Sequence, residues 1–304
     1  MGYGTRVAII GAGSVGATIA FALLLQKITS EIVLVDIDKE IVRGQILDLS
    51  DANFISSTQI HYGTYQEAGQ CDIIVITAGA KQRPSETRVE LIERNYKILE
   101  NVIGAMQPIN SGSILLLVAN PVDILTYIAQ KLSGLPKKQV FGSGTFLDSA
   151  RFRLKISSLI GVAENAVHGY VLGEHGDSQF IAWSSAQVGG KPLLEFSELE
   201  NVDKDALAKE ISGKAYEIIK LKGATYFGIA GCVSSLVQCI ILNQRLVRPL
   251  STFIEEYGCV LSMPVVLGKN GIERMIDVHL DSNEKIKLQQ SAAALKEICD
   301  KYIK

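Results

Sequence analysis

The chain has 304 residues, 47% of them hydrophobic, and a formal net charge of −2. This length exceeds what one ordinary hydrophobic core holds, so the sequence predicts two packed units that share a cleft. The small net charge, without a basic cluster, gives no reason to expect a nucleic acid or an anionic membrane as a partner.

The cysteines and the N-terminus bear on the cellular compartment. The five cysteines are an odd number without a C-x-x-C spacing. This argues against a disulfide framework and a structural zinc site, and no metal site is predicted. The N-terminus runs almost directly into the first predicted strand, so no signal peptide is expected. These features favour a reducing cytoplasm.

The first predicted element is a buried strand at residues 7–10, followed by a glycine-rich turn and an apolar run of helical length. Gly11 permits the turn, Gly13 lets a pyrophosphate approach the backbone, and Gly16 lets the helix pack closely on the strand. The amides at the start of the helix then face the phosphate charge. This order is typical of a dinucleotide-binding domain.

A second strand at residues 31–35 ends at Asp36, twenty residues after Gly16. An acid at this position hydrogen-bonds a ribose diol and repels a 2′-phosphate. Together with the glycine-rich turn, it predicts an α/β fold with a doubly wound parallel sheet of the Rossmann type, which binds NAD and not NADP.

Further strands are predicted at residues 59–62, 71–78, 113–121 and 140–144, and a helix at 37–49 with Ile41, Ile46 and Leu49 inward. Small and polar residues follow the strands, where ligands of open parallel sheets collect. The polar loop at 81–88 is either a lid or an ordinary solvated loop, and its local sequence favours the latter. The dinucleotide-binding domain is predicted to span residues 1–143.

From residue 144 the alternation of strands and helices breaks down, which predicts an α+β substrate domain over residues 144–304. Strands are expected at 260–267 and 271–276. The stretch 223–244 has no charge and is long enough to span a bilayer, but its polar and small residues favour a buried helix or a subunit contact. A terminal helix has an inward apolar stripe formed by Leu288, Ala292, Leu295, Cys299 and Tyr302.

His175 lies in a turn between two glycines, where it can exchange protons near neutral pH. Asp148 and Arg151 are three residues apart, on one face of a helix. If this face meets the turn, Asp148 can orient the imidazole and stabilise its charged form, and Arg151 can clamp a substrate carboxylate. The alternative is a surface ion pair worth about 0.3–0.5 kcal/mol. Spacing along the chain leaves both open.

Five motifs, in this order, resemble the L-lactate/malate dehydrogenase family and are closest to its bacterial-type lactate branch. The resemblance covers essentially the whole chain. It implies hydride transfer between C4 of the nicotinamide and the carbonyl carbon of a 2-oxo acid, as at the end of glycolysis. The motifs are Gly11-x-Gly13-x-x-Gly16 with Asp36, Gln82-Arg-Pro-Ser-Glu-Thr-Arg88, Asn120-Pro-Val-Asp123, Leu147-Asp-Ser-Ala-Arg-Phe-Arg153 and Gly173-Glu-His-Gly-Asp-Ser178.

The resemblance also implies roles for single residues. His175 is the proton donor and acceptor, with Asp148 as its orienting partner. Arg151 clamps the substrate carboxylate, and Arg88, carried by the lid, polarises the substrate carbonyl.

Other positions similar to the family's contacts lie around the substrate and the cofactor. Asn120 hydrogen-bonds the substrate oxygen, and Thr225 lines the pocket. The positions similar to cofactor contacts are Gly11, Gly13, Val15, Gly16, Asp36, Arg43, Tyr65, Gly79, Ala80, Val118, Asn120 and Ser143.

Gln82 bears on the substrate, because malate enzymes of this family typically carry arginine at this position to meet a second carboxylate. With the neutral Gln82, oxaloacetate would bury an unpaired carboxylate. The resemblance therefore implies pyruvate and L-lactate, and Thr225 is also the lactate-type residue. Because Arg83 directly follows Gln82, malate dehydrogenase is the alternative. A non-catalytic NAD-binding protein is a third, less favoured reading.

Arg153 and His168 match the pair that binds fructose 1,6-bisphosphate at a subunit interface of bacterial-type lactate dehydrogenases. These enzymes are allosteric homotetramers, so the resemblance implies an effector site and a homotetramer. A surface arginine and a core histidine are the plain alternatives. His61 and His279 are interpreted as structural.

Overall fold

The computed structural model describes residues 4–80 and 87–302, and the side chains of Arg88 and Tyr302 lie outside the described part. The strands of the described part are β1 (Arg6–Ile10), β2 (Glu31–Val35), β3 (Gln59–Tyr62), β4 (Ile73–Ile76), β5 (Ile114–Leu117), β6 (Val140–Gly142), β7 (Val167–His168), β8 (Val171–Leu172), β9 (Phe180–Ile181), β10 (Gln187–Val188), β11 (Lys191–Pro192), β12 (Leu246–Ile254), β13 (Cys259–Gly268) and β14 (Gly271–Met275).

Helices cover the sheet that these strands form. Those of the described part are α1 (Ser14–Gln26), α2 (Lys39–Asp51), α3 (Tyr65–Ala68), α4 (Arg88–Met106), α5 (Val122–Leu132), α6 (Phe146–Ile160), α7 (Lys204–Lys222), α8 (Phe227–Ile241) and α9 (Ser282–Tyr302).

One nine-stranded sheet runs through both halves of the chain, in the order β14-β13-β12-β6-β5-β4-β1-β2-β3. Strands β1 to β6 pair in parallel, in the order of the dinucleotide-binding fold. The long strands β12, β13 and β14 pair antiparallel and join β6 through Ser251 and Gly142. The predicted fold class is confirmed, and the second half of the chain extends the sheet of the first.

The two faces of the sheet pack against different helices, because successive side chains of a strand point to opposite faces. Val7 and Ile9 of β1 belong to a core that includes residues of α1, α2 and α8. Ala8 and Ile10 belong to a core that includes residues of α4, α5 and α9. Buried on both sides, the parallel strands are nearly continuous apolar runs, as predicted.

A third core lies beside the sheet in the second half of the chain. It contains residues of α6, α7 and the short strands β7, β8 and β9, with Phe152 and Ile156 fully buried at its centre. The chain therefore has a hydrophobic core outside the sheet-and-helix layers.

The predicted helix at residues 37–49 is shifted, because Asp38 caps it by accepting hydrogen bonds from the amides of Glu40 and Ile41. The helix spans Lys39–Asp51, and Val42 and Leu49 are its buried residues. The inward position predicted for Ile41 is wrong, since Ile41 is 47% exposed. Val42 and Leu49 are seven residues apart and so share the buried face of the helix, whereas Ile41 precedes Val42 by one residue and points away from this face.

Elsewhere the predicted elements hold with shifted ends. The uncharged stretch 223–244 contains α8, whose inner residues are buried against α1 and the sheet. In the described part of the chain, no helix is long and apolar enough to cross a membrane. The apolar stripe of α9 is buried at Leu288, Ala292, Leu295 and Cys299, whereas the side chain of Tyr302 lies outside the described part.

Candidate active site

The predicted ligand-binding residues follow neighbouring parallel strands. Because parallel strands end at the same edge of a sheet, these residues lie along one line across strands β2, β1, β4, β5 and β6. In that order of strands, the residues are Asp36, Gly11, Ala80, Asn120 and Ser143.

The glycine-rich turn after β1 leaves space only where a ligand needs it. Gly11 has a φ of +109°, and a Cβ there would lie 2.8 Å from the amide nitrogen of Ala78. A Cβ on Gly16 would overlap the carbonyl oxygen of Gly11, so α1 could not pack as it does. By contrast, a Cβ on Gly13 would meet no described atom within 4 Å. The backbone is therefore open at Gly13 alone of the three.

Helix α1 begins at this opening without a side-chain cap on Gly13 and without an acidic residue in its first turn, within the described residues. Its first amides, including that of the half-buried Val15, have no partner from a capping side chain. The positive end of the helix dipole adds to their attraction for an anion. The turn and helix thus fit the pyrophosphate of a dinucleotide.

Asp36 closes the turn from the end of β2. Its carboxylate accepts hydrogen bonds from the amide of Ala12 at 2.7 Å and from the amide of Asp38 at 3.1 Å. Burial and the charge of Asp36 raise the pKa of Tyr65, at the start of α3. Asp36 and Tyr65 therefore flank one region of this edge. Arg43 lies on the exposed side of α2.

Asn95 is a buried residue of α4 that the sequence analysis missed. Its side-chain oxygen accepts from the amide of Ala80 at 2.7 Å, and its side-chain nitrogen donates to the carbonyl of Asn120 at 3.0 Å. It thereby ties the ends of β4 and β5 together. A polar residue on the apolar face of an amphipathic helix was the available signal.

Asp148, Arg151 and His175 come together although the chain separates them. Asp148 and Arg151 lie on α6, with side chains 3% and 10% exposed, and Nη1 of Arg151 lies 3.1 Å from Asp148 Oδ1. Nδ1 of His175 lies 2.9 Å from Asp148 Oδ2. The surface ion pair left open by the sequence is therefore not what the structure contains, since the shared carboxylate is buried.

Hydrogen bonds between α6 and β8 bring the His175 turn to this place. The hydroxyl of Thr145 donates to the carbonyl of Val171 at 2.5 Å, and the hydroxyl of Ser149 accepts from the amide of Val171 at 2.8 Å. Gly173 then turns with a φ of +89° and pairs with Ser262 of β13. A residue with a Cβ adopts this φ only under strain, so glycine suits the turn.

The electrostatics of the group favour a charged imidazole. Burial alone would lower the pKa of His175, but the hydrogen bond to Asp148 and the charges of Asp148 and Asp123 raise it above its usual value. Burial alone would raise the pKa of Asp148, but the hydrogen bond and charge of His175, together with Arg151, hold it below its usual range. Both directions stabilise an imidazolium paired with a carboxylate.

This arrangement leaves one ring nitrogen of His175 for a ligand. Nδ1 faces Asp148, and the imidazole is 29% exposed, so Nε2 can exchange a proton with a bound molecule. The backbone amide of His175 is bonded to Asp123, three residues after Asn120. His175 therefore lies beside the strand ends that form the candidate dinucleotide edge. Thr225 is half-buried between α7 and α8.

The predicted lid is largely outside the described residues. Gln82 and Arg83 belong to residues 81–86, and the side chain of Arg88 is likewise outside the described part. The backbone of Arg88 starts α4, which Thr87 and Glu90 cap reciprocally. The roles expected of Gln82 and Arg88 stay predictions.

Arg153 lies near a second arginine, Arg248, which the sequence analysis missed. Burial and the charge of Arg153 lower the pKa of Arg248. In both residues Nε is buried without a hydrogen-bond partner among the described residues. The predicted companion His168 is exposed in β7, which packs against α6. Two adjacent guanidinium groups with an unpartnered N–H favour an anion.

Glu31, His61 and Glu67 carry possible metal-ligand atoms within 4.8 Å of one another. Arg6 already forms ion pairs with both carboxylates, at 3.2 Å to Glu67 and closely to Glu31. His61 lies 3.1 Å from Glu67. The guanidinium supplies the positive charge that these carboxylates need, and this is a structural reason for the cluster.

Two family models together match nearly the whole chain. The model described as lactate/malate dehydrogenase, NAD binding domain, matches residues 5–142. The model described as lactate/malate dehydrogenase, alpha/beta C-terminal domain, matches residues 145–304. The first match confirms NAD, the cofactor predicted from Asp36 and the glycine-rich turn.

Curated relatives agree with these models over the length of the chain. The chain is 52% identical over 294 residues to L-lactate dehydrogenase A of Rhizopus oryzae, covering 97% of this chain and 92% of that protein. It is 41% identical over 302 residues to L-lactate dehydrogenase of Lacticaseibacillus casei, covering 96% and 93%.

Solved structures agree in the fold. A lactate dehydrogenase from a deep-sea metagenome library superposes with a TM-score of 0.93 at 36% identity, over 98% of each chain. The minor L-lactate dehydrogenase of Enterococcus mundtii gives the same score, identity and coverage. The family suggested by the sequence motifs is therefore confirmed. The chain belongs to the lactate/malate dehydrogenase family of NAD-dependent 2-hydroxy acid oxidoreductases.

Proposed function

We propose that this protein is an L-lactate dehydrogenase that interconverts pyruvate and L-lactate with NADH and NAD. The observation that carries the proposal is the buried carboxylate of Asp148, shared between His175 at 2.9 Å and Arg151 at 3.1 Å. The L-lactate dehydrogenases among the relatives, at 41% to 52% identity, support this activity over the malate alternative.

His175 acts as the acid of pyruvate reduction. Bound NADH supplies the hydride that adds to the carbonyl carbon. The carbonyl oxygen then needs a proton, which the imidazolium gives from Nε2 while Nδ1 stays bonded to Asp148. In lactate oxidation the neutral imidazole takes the hydroxyl proton back. The hydrogen bond and charge of Asp148 raise the pKa of His175, which favours the acid form.

Arg151 binds the substrate carboxylate, and its partial burial makes this contact strong. Its side chain is 10% exposed, so a carboxylate beside it is shielded from water. Asn120 contacts the substrate oxygen, and Thr225 lines the pocket. Arg88, which the family resemblance assigns to the lid, polarises the carbonyl of the substrate.

Residues along the strand ends would hold the dinucleotide. The open backbone at Gly13 and the first amides of α1 would hold the pyrophosphate, and Asp36 would accept hydrogen bonds from the adenosine ribose hydroxyls. Other contacts along this line come from Gly11, Val15, Gly16, Arg43, Tyr65, Gly79, Ala80, Val118, Asn120 and Ser143.

The protein works in the cytoplasm as a homotetramer. Each chain is divided into a dinucleotide-binding domain at residues 1–143 and a substrate domain at residues 144–304. The separate core around Phe152 supports this division. The five free, buried cysteines are consistent with a reducing compartment. Exposed apolar side chains on the helices, such as Phe21 and Leu25 of α1, offer surface for subunit contacts.

The substrate proposal is tested by a panel of 2-oxo acids with NADH, using the unmodified protein and His175→Asn. Pyruvate should have the highest kcat/KM. Loss of the proton donor should lower kcat/KM for pyruvate by roughly 10²–10⁴-fold while the NADH Kd is unchanged. Steady-state absorbance of NADH and its fluorescence titration measure the two quantities.

His279→Asn is the matched control, because His279 is exposed, and it should retain full activity. A preference for oxaloacetate would establish malate dehydrogenase instead. Tight NADH binding without oxidation by any 2-oxo acid would favour a non-catalytic NAD-binding protein.

Asp36→Ala should weaken NADH binding, because the ribose loses a charged acceptor worth about 1.5–3 kcal/mol, or roughly 10–150-fold in Kd. The ratio of the NADPH Kd to the NADH Kd should fall, because the carboxylate no longer repels the 2′-phosphate of NADPH. Fluorescence titration with both cofactors measures this. Asp51→Ala, at the exposed C-terminal end of α2, should change neither Kd. An unaltered NADH Kd in Asp36→Ala would contradict the role of this carboxylate.

Gln82→Arg should raise the oxaloacetate-to-pyruvate ratio of kcat/KM by about tenfold or more, because the guanidinium pairs with the second carboxylate. Arg83→Gln is the comparison, since Arg83 is the neighbouring cation of the same loop. If Gln82→Arg keeps the original ratio and Arg83→Gln alters it, the neighbouring arginine sets specificity.

Arg153 and His168 form an effector site for fructose 1,6-bisphosphate, and the nearby guanidinium of Arg248 supports a site for a dianionic phosphate. Millimolar fructose 1,6-bisphosphate should lower the pyruvate KM and raise the Tm, and Arg153→Gln should abolish both effects. Lys204→Gln, on the exposed surface of α7, should abolish neither. If the unmodified protein responds in neither assay, the proposed effector is wrong.

A further inference from the structure

A second buried carboxylate lies against the His175 turn. Asp123, in the first turn of α5, is 2% exposed. Its Oδ2 accepts from the backbone amide of His175 at 2.7 Å, and its Oδ1 accepts from the hydroxyl of Ser251 at 2.5 Å. One carboxylate thus joins α5, the His175 turn and β12.

The two hydrogen bonds do not by themselves require a negative charge. An amide of the same size would accept from His175 and bond Ser251 without the cost of burying an ion. Burial raises the pKa of Asp123 to about 6, although the hydrogen bonds from Ser251 and His175 and the charge of His175 lower it. A buried carboxylate of this kind needs a nearby cation.

The charged groups around the turn identify this cation as the imidazolium of His175. His175 faces the carboxylates of Asp148 on α6 and Asp123 on α5, and Arg151 is the opposing positive charge. Asp123 faces His175 and also Glu174, whose negative charge raises the pKa of Asp123. Cys259 of β13 and Cys299 of α9 also lie near Asp123, but burial raises the pKa of each thiol to about 12, so both are neutral.

We propose that Asp123 is a positioning residue of this reaction, whose carboxylate holds the His175 turn in place and, together with Asp148, stabilises the imidazolium. This inference rests on the proposed function, in which His175 is the proton donor and must be charged before the reaction. Asp148 acts through its hydrogen bond to the imidazole ring of His175. Asp123 acts through its hydrogen bond to the backbone amide of His175 and through the electric field of its charge. Together the two carboxylates keep His175 protonated before pyruvate reduction.

Asp123→Asn tests the charge, because the amide can keep both hydrogen bonds. Without the carboxylate, His175 should lose its proton at lower pH. Since kcat/KM for pyruvate falls as His175 loses its proton, the alkaline limb of the pH profile should move to lower pH by roughly 0.5–1 unit. The NADH Kd should stay the same. A purely structural role would leave the position of the limb unchanged.

Ser251→Ala is the second variant, and it keeps the carboxylate. Loss of the hydroxyl makes Asp123 harder to ionise. The alkaline limb of the pH profile should therefore also move to lower pH, but by less than in Asp123→Asn. Asp300→Asn is the matched control, because Asp300 is an exposed carboxylate paired with Lys296, and its profile should match that of the unmodified protein. If Asp123→Asn does not fold, an unshifted limb in Ser251→Ala overturns the inference.

A direct titration separates this inference from the proposed function. The imidazole of His175, assigned by comparison with His175→Asn, can be followed by NMR in protein labelled with [15N]histidine, without any turnover. A lower titration midpoint in Asp123→Asn supports the inference, and an identical midpoint overturns it. Failure of the proposed function instead appears as an unmodified protein that does not reduce pyruvate.

Discussion

The active site depends on one buried carboxylate that two cations share. Asp148 is 3% exposed and contacts both His175 and Arg151, so its charge is balanced inside the protein. Leaving such a carboxylate without one partner typically costs about 3–5 kcal/mol. The same contacts orient the imidazole and fix the guanidinium. The interaction that makes the buried charge tolerable therefore also prepares the two side chains for a 2-oxo acid.

The parallel sheet supplies the other half of the site. Each strand of the first half ends at the same edge, and the glycine-rich turn leaves its backbone open at Gly13. Asn95 ties two of these strand ends together, and Asp123 ties the next segment to the His175 turn. Hydrogen bonds of buried polar side chains thus join the candidate dinucleotide edge to the His175 turn.

Local patterns in the sequence were sufficient for much of the first half. Apolar strands, the glycine spacing and Asp36 predict strand, turn, helix and cofactor, because each signal depends on neighbours in the chain. The predicted inward face of α2 failed at Ile41, since Val42 and Leu49 form the face that packs on the sheet. The roles of Asn95 and Arg248 depend on contacts with distant segments, which no local pattern carries.

By itself the sequence determined the fold class, the cofactor and the residue types available for catalysis, because periodicity, glycine spacing and family motifs are properties of the linear chain. Only the tertiary structure decided between a surface ion pair and a buried group for Asp148 and Arg151. Their partner His175 is 27 residues away from Asp148 along the chain. Its position is set by the packing of β8 on α6, and burial, which gives the charges their strength, exists only in the folded protein.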